Sequence, residues 1–299
     1  MELLREGQLV AFPTETVYGL GGDATNGTAV AGIYQAKGRP SFNPLIAHVW
    51  DVDAALNLIE LNDAGRILAK AFWPGPMTLV GQLREGSNIA GLVTAGLPTL
   101  AVRVPAHPMA QDLLRRIGRP VAAPSANPSG RISPTTTDHV LSGLNGRIAA
   151  VLDDGPCSVG LESTIIGMDG DGVSLLRPGG LAVEDIEDLI GPIAGRTQTD
   201  AISAPGQLAS HYAPSAGVRL NATGAEAGEV LLGFGDAPGA SLNLSPAGDL
   251  VEAAANLFGF LHQTDALASG RTIAVSTIPE EGLGVAINDR LRRAAAPRG

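Results

Sequence analysis

Apolar positions along the chain fall mostly into short, strand-length runs separated by Gly/Pro-rich turns, with fewer segments of helical period. Leu9-Val10-Ala11-Phe12 predicts a strand stopped by Pro13. A helix is predicted from about Thr28, with Val30, Ile33 and Tyr34 on one face and Gly38 then Pro40 ending it, so Lys37 and Arg39 fall at its C-terminus and just beyond. Leu45 to Val49 predicts a short strand. Asp51 and Asn62 are N-caps for two helices, the second turning Ile67, Leu68, Ala71 and Phe72 inward. Trp73-Pro74-Gly75-Pro76 breaks that helix before a strand from Met77 to Leu83. Further strands are predicted at 99–104, 121–123, 148–152, 163–168 and 173–176, with helices at 108–117 and 183–190. Strands outnumber helices and the connections are unequal, a pattern of a twisted, mixed α/β sheet rather than a regular doubly wound one.

Composition shifts after about Gly191. Residues 195–217 are polar, carry Pro205 and Pro214, and lack either period, which predicts a linker. Beyond it, 229–234, 250–261, 272–276 and 283–295 read as strand, helix, strand, helix. The expected organisation is a domain over 1–194, a linker over 195–217 and a small α/β domain over 218–299.

The 299 residues carry a net charge of −10, which argues against a general nucleic-acid or membrane-surface binder, because no broad basic field exists to recruit phosphates. A small cationic pocket inside an acidic body remains compatible with it. Cys157 is the only cysteine, so neither an intrachain disulfide nor a cysteine zinc site is expected. The five histidines show no metal-ligand spacing. No apolar run is long enough to span a bilayer and the N-terminus does not read as a signal peptide, so a cytoplasmic location is expected.

Gly19-Leu20-Gly21-Gly22-Asp23-Ala24 fits the loose dinucleotide fingerprint, but the next acid is Asp51, and a tight turn after a strand is the better reading. A P-loop is absent, and Ser125, Ser129 and Ser163 lack a nucleophile-elbow sequence. Four cations, Lys37, Arg39, Arg103 and Arg177, stand beside turn chemistry. At a helix C-terminus, Lys37 and Arg39 most commonly complement the dipole. Arg103 and Arg177 belong either on a solvent face or in a pocket. With Ser125-Ala126-Asn127 these residues are an inventory able to hold a nucleotide's phosphates.

Seven motifs in one order resemble the YrdC-like threonylcarbamoyl-AMP synthases. They are Phe12 to Gly21; Lys37-Gly38-Arg39-Pro40 with Asn43-Pro44-Leu45; Trp73 to Thr78; Val102-Arg103-Val104-Pro105; Pro124-Ser125-Ala126-Asn127; Glu162-Ser163-Thr164; and Leu176-Arg177-Pro178-Gly179. His211-Tyr212-Ala213-Pro214 and Asn288-Asp289-Arg290-Leu291 resemble the longer, two-domain branch. The resemblance implies a YrdC-like α/β domain, a smaller Rossmann-like C-terminal domain, and synthesis of L-threonylcarbamoyl-adenylate from L-threonine, bicarbonate or CO2, and ATP, with release of pyrophosphate. The product would pass to the machinery that modifies tRNA; no direct nucleic-acid or membrane partner is expected.

Carried over onto this chain, the resemblance implies a threonine pocket of Thr16, His48, Arg103, Ala123 and Ser163, with Arg103 forking onto the carboxylate. The nucleotide would meet Arg39, Asn43, Thr99, Ser125, Ser133, Arg177 and Tyr212. Lys37, Arg39, Ser125 and Asn127 would form the catalytic, phosphate-facing group. Mg²⁺ would arrive with ATP, with no protein-held metal. Tyr212 is expected to bring the linker over the nucleotide as a lid.

Overall fold

In the computed structural model, which describes residues 1–170, 172–195 and 211–297, the first unit runs α1 (Glu2–Arg5), β1 (Val10–Phe12), β2 (Gly19–Asp23), α2 (Gly27–Lys37), β3 (Ile46–His48), α3 (Val52–Leu56), β4 (Ile59–Glu60) and α4 (Asp63–Phe72). It continues β5 (Met77–Leu83), α5 (Gly91–Thr94), β6 (Thr99–Arg103), α6 (Pro108–Ile117), β7 (Val121–Ala122), α7 (Thr137–Leu144), β8 (Ala150–Val151), β9 (Thr164–Asp169), β10 (Gly172–Arg177), α8 (Val183–Ile190) and β11 (Ala194–Gly195). Asp51 and Asn62 cap α3 and α4 as expected, accepting from the amides of Ala54 and Gly65. α2 starts one residue before Thr28 and is capped by Asn26, whose carboxamide oxygen accepts from Thr28 and Ala29. On α4 Leu68 turns inward, but Ile67 is 48% exposed, one position off the buried stripe.

Eleven strands among the described residues form one mixed sheet, in the order β11-β10-β9-β5-β6-β3-β7-β2-β1-β8 with β4 beside β5. Its pleat divides the core. Val10 and Phe12 pack with Leu113, Leu114 and Ile117 of α6, while Ala11 faces the larger cluster that includes Val30 and Ile33 of α2. The Gly19–Asp23 segment, expected as a turn, is instead a wholly buried strand antiparallel to β1. Its glycines are explained by crowding: a Cβ at Gly21 would lie 2.8 Å from the Phe12 ring.

The second unit comprises β12 (Val218–Ala222), β13 (Val230–Gly233), β14 (Leu242–Asn243), α9 (Leu250–Ala268), β15 (Ile273–Ser276) and α10 (Leu283–Ala295). Its four parallel strands are ordered β12-β15-β13-β14, a small Rossmann-like sheet. The two units share apolar contact: Val17, Ile132 and Leu161 of the first join the cluster of Tyr212, Leu257 and Phe258. Of the expected linker, residues 196–210 lie outside the described residues. Its far end is docked: Ala213 N donates to Gly130 O at 2.8 Å, and the Ser215 and Ala216 amides donate to the Asp265 carboxylate, each at 2.8 Å. No helix among the described residues is long and apolar enough to cross a membrane.

Gly160 sets how closely the units approach. Its φ is +73°, and a Cβ there would lie 2.5 Å from the Ala254 and Ala255 carbonyl oxygens of α9. Gly155 has nearly the same φ, +74°, with open space around it. Gly155→Ala is expected to cost about 1–2 kcal/mol through the left-handed backbone alone. Gly160→Ala should add roughly 1–3 kcal/mol of overpacking to that. Urea unfolding of both variants checks this, and equal losses would refute the close packing.

Candidate active site

Three arginines enter one cavity from three elements. α2 ends at Gly38, whose left-handed φ of 59° reverses the chain, so Lys37 and Arg39 leave it in different directions. Arg39 lines the cavity and is held from behind, Nε donating to Asn43 O at 3.2 Å and Nη2 to Pro44 O at 2.9 Å. Burial, offset in part by Tyr34 and Tyr212, lowers it to about 10. Arg103 ends β6; its Nε donates to Gly75 O (3.2 Å), Nη1 to Thr16 Oγ1 (2.7 Å) and Nη2 to Glu15 Oε1 (2.6 Å). Arg177 ends β10 after a register shift between Leu175 and Arg177, and its Nη2 donates to Ser163 O at 2.8 Å. Both strand arginines therefore belong to the pocket, not the solvent face.

The remaining lining includes Thr14, Thr16, His48, Ala123, Ser125 and Ser163. Thr14 Oγ1 donates to Val17 O at 2.7 Å, so the hydroxyl proton between Thr14 and Thr16, also 2.7 Å apart, comes from Thr16. Thr16 thus donates to Thr14 and accepts from Arg103, leaving only acceptor capacity for a ligand. Ser163 Oγ lies 2.7 Å from Thr78 Oγ1 and accepts from Arg177 at 3.3 Å. Burial, then the nearby Arg103, pushes His48 down to about 3, so the ring is neutral.

A further part of the lining comes from Glu162, His211 and Tyr212. Burial raises the Glu162 carboxyl, but Arg290, Arg177 and the Ser133 hydroxyl outweigh it and hold it below the ordinary carboxylate range. Tyr212 is 1% exposed, with φ 60°, its ring packed on Phe258 at 5.5 Å and His211 at 4.1 Å. Tyr212, expected to bring the linker over the nucleotide as a lid, is here packed into the cavity wall. Burial pushes His211 down to about 3.

Of the expected site residues, Thr16, Arg39, His48, Arg103, Ala123, Ser125, Ser163, Arg177 and Tyr212 line this cavity together. Lys37 stands behind it, its ammonium donating to the Ser125 and Asn127 carbonyls, and burial with the neighbouring Arg39 lowers it well below the usual lysine range. Asn127 turns its amide away onto Arg131 O at 2.9 Å and lines a second cleft between the units. Ser133 is spent on Glu162, donating to Oε1 at 2.5 Å. Asn43 is buried outside the cavity lining, with neither carboxamide atom partnered among the described residues.

Thr99 lies four residues from Arg103 on the same strand, about 13 Å at 3.3 Å per residue, and lines a separate cavity with Val80, Gly167 and Leu176. The sequence reading did not assign Glu15, Glu162 or His211 to the site. The pairing of Glu15 with Arg103 and of Glu162 with Arg290 is a tertiary fact, although all three residues stand inside the quoted motifs.

Among the described residues no group of three His, Cys, Asp or Glu side chains could hold a metal. Glu162, which lines the cavity, and Glu15, beside Arg103, are already paired with Arg290 and Arg103. A Mg²⁺ ion fits here only as the companion of phosphate oxygens.

Two family models cover the chain. Residues 2–179 match the Sua5/YciO/YrdC model, described as telomere recombination, and residues 181–296 match the threonylcarbamoyl-AMP synthase C-terminal domain. The threonylcarbamoyl-AMP synthase of Bacillus subtilis is 41% identical over 319 residues, covering 99% of this chain and 92% of that one. A crystal structure of Pyrococcus abyssi Sua5 complexed with L-threonine superposes with a TM-score of 0.90 at 39% identity, covering 98% of this chain and 92% of that one. Escherichia coli YciO, at 20% identity, shares the fold over 60% of this chain and 86% of its own, with a TM-score of 0.54.

The buried histidines predict the pH dependence of stability. His48 and His211 are both lowered to about 3 by burial, and burial also lowers His139 and His262. The unfolded chain binds protons below its histidine value of about 6.5 while the folded chain does not, so their stabilisation is complete above that value and falls as pH drops toward the folded values. At pH 5, His48 and His211 should each cost about 2 kcal/mol. Urea unfolding at pH 7 and pH 5 measures this; unchanged stability would contradict it.

Proposed function

The chain belongs to the Sua5/YciO/YrdC family of threonylcarbamoyl-AMP synthases, in its two-domain form, and from that premise we propose that it is an ATP-dependent nucleotidyltransferase making L-threonylcarbamoyl-adenylate and pyrophosphate from L-threonine, bicarbonate or CO2, and ATP. One observation carries the reading. A small polar pocket of Thr16, His48, Arg103 and Ser163 opens onto Arg39, Ser125 and Arg177 within one cavity.

Threonine's carboxylate would meet Arg103, which keeps one N–H on each terminal nitrogen after its three internal bonds. Thr16, able only to accept, suits the amine, and neutral His48 adds no charge beside it. Ser163 and the backbone at Ala123 complete the amino-acid side. The amine attacks carbon dioxide and loses a proton, giving a carbamate. A carbamate oxygen then attacks the α-phosphorus of ATP, and pyrophosphate leaves. No enzyme nucleophile is required, so positioning and charge carry the rate.

Arg39, Ser125 and Arg177 would hold the triphosphate, with Lys37 fixing the Ser125–Asn127 loop and Ser133 fixing Glu162. Asn43, whose carboxamide has no partner among the described residues, would meet the nucleotide. The apolar cluster of Ile46, Val80, Ala101 and Ile165 runs from this cavity toward Thr99, which would mark the nucleoside end. Mg²⁺, when bound, would supply phosphate charge neutralisation through phosphate oxygens and water. Tyr212 would keep water from the carbamate and adenylate as a wall residue. The product would then serve a cytoplasmic threonylcarbamoyl transfer onto tRNA.

Pyrophosphate release should require ATP, threonine and bicarbonate together; release with threonine or bicarbonate omitted would mark another reaction. Arg103→Lys keeps the charge but loses the fork. It should raise the threonine KM by at least about tenfold, one charge-assisted bond's worth, and the ATP KM far less. Equal effects on both substrates would remove Arg103 from the threonine pocket. Tyr212→Ala should lower adenylate yield and raise its hydrolytic loss, measured by product quantification; unchanged values would remove Tyr212 from the wall's function.

A further inference from the structure

We propose that Arg290, in the second unit, is a positioning residue for the reaction: it reaches across the domain boundary to fix Glu162 and Tyr212, and so completes the nucleotide side of the cavity. The inference rests on the adenylate-forming reading above.

Arg290 sits on α10 and is 0% exposed, the largest fully buried side chain among the described residues. Its Nε donates to Glu162 Oε2 at 2.8 Å, and its guanidinium carbon stands 5.2 Å from the centre of the Tyr212 ring. Both partners line the cavity, one from the first unit and one from the chain entering the second. Its Nη1 is held by Asp289 Oδ2 at 2.8 Å, and Asp289 in turn accepts from Arg293 Nε at 3.0 Å, so the arginine is aimed by its own helix.

Fixing Glu162 fixes more than one side chain. The other carboxylate oxygen accepts from Ser133, and the Glu162 carbonyl accepts from Gly180 N at 2.9 Å. The next residue, Ser163, carries the carbonyl and hydroxyl that Arg177 grips. One guanidinium thus ties α10, the 131–135 segment, the start of β9 and the His211–Tyr212 stretch into a single wall.

This arrangement is poorly explained as a device for stability. A buried ion pair is often no more stabilising than apolar packing of the same volume. Here Nη2 is also left without a hydrogen-bond partner among the described residues, which costs further. What the pair does secure is geometry: a planar cation wedged between a carboxylate and an aromatic face has one orientation available.

The test compares Arg290→Met, Arg290→Lys and a control, Glu184→Gln, in the full chain. Glu184 makes another contact between the units, its Oε1 accepting from Gly282 N at 3.0 Å, and lines no part of the cavity. Arg290→Met should lower kcat/KM for ATP by about 100-fold, as small misplacements of a reacting group do. Its affinity for threonine, read by calorimetry, should fall by less than about tenfold, since Arg103 and Thr16 are untouched and only Ser163 of the threonine pocket adjoins Glu162. Arg290→Lys should recover about tenfold of the loss by restoring the charge, and Glu184→Gln should behave as the parent. Equal damage from Glu184→Gln, or loss of threonine and nucleotide binding in parallel, would overturn the inference in favour of domain docking alone.

If Arg290→Met does not fold, the double variant Glu162→Gln/Arg290→Met buries no lone charge. It should fold and still show the lowered kcat/KM for ATP; a parental kcat/KM would overturn the inference. Failure of the underlying reading is separate. It would appear as parental protein that releases no pyrophosphate with all three substrates, and calorimetry with a non-hydrolysable ATP analogue would then still compare Arg290→Met with the parent.

Discussion

The structure turns on keeping four cations buried around one cavity without letting them collapse onto carboxylates. Lys37, Arg39, Arg103 and Arg177 are between 3% and 8% exposed in a protein whose net charge is −10. Taking such groups out of water is strongly unfavourable unless each is hydrogen-bonded. The fold meets that demand mainly with backbone carbonyls, from Ser125, Asn127, Asn43, Pro44, Gly75 and Ser163. Neutral carbonyls satisfy donors while leaving net positive charge to act on an anionic ligand. The loops that carry those carbonyls are therefore irregular by necessity, and the mixed sheet delivers Arg103 and Arg177 to them at the ends of β6 and β10.

Carboxylates enter only where a cation must be aimed. Glu15 fixes Arg103, and Glu162, itself pinned by Arg290, lines the same cavity as Arg39 and Arg177. The second unit is thus part of the cavity's architecture. Its apolar cluster includes Val17, Ile132 and Leu161 of the first unit, and its entering chain supplies His211 and Tyr212 to the wall. Domain docking and site geometry are one packing problem.

Much of this was legible in the sequence where local chemistry decides. The caps at Asp51 and Asn62 and the strand from Met77 to Leu83 fall where propensity and turn residues place them. Gly19–Asp23 was not legible as a strand, because its glycines answer to the Phe12 ring and Ile33 pressing on them, contacts that no period reveals. β12 was missed although Val218, Leu220 and Ala222 alternate with Arg219 and Asn221, because it follows directly on the polar, Pro-bearing segment read as a linker. Arg103 and Arg177 looked ambiguous because a buried arginine in an alternating run reads like an exposed one until its partners are known. The motif resemblance supplied what spacing could not, namely that residues as distant as Arg39 and Arg177 line one cavity. It did not distinguish lining residues from those behind them, so Lys37, Asn127 and Ser133 proved to hold the wall rather than face the cavity.

The most direct measurement is a crystal structure with L-threonine and a non-hydrolysable ATP analogue bound together. The account predicts the triphosphate within hydrogen-bond reach of Arg39, Ser125 and Arg177, with the α-phosphorus turned toward an amino acid whose carboxylate rests on Arg103. A triphosphate bound elsewhere, or an amino acid whose carboxylate ignores Arg103, would contradict it.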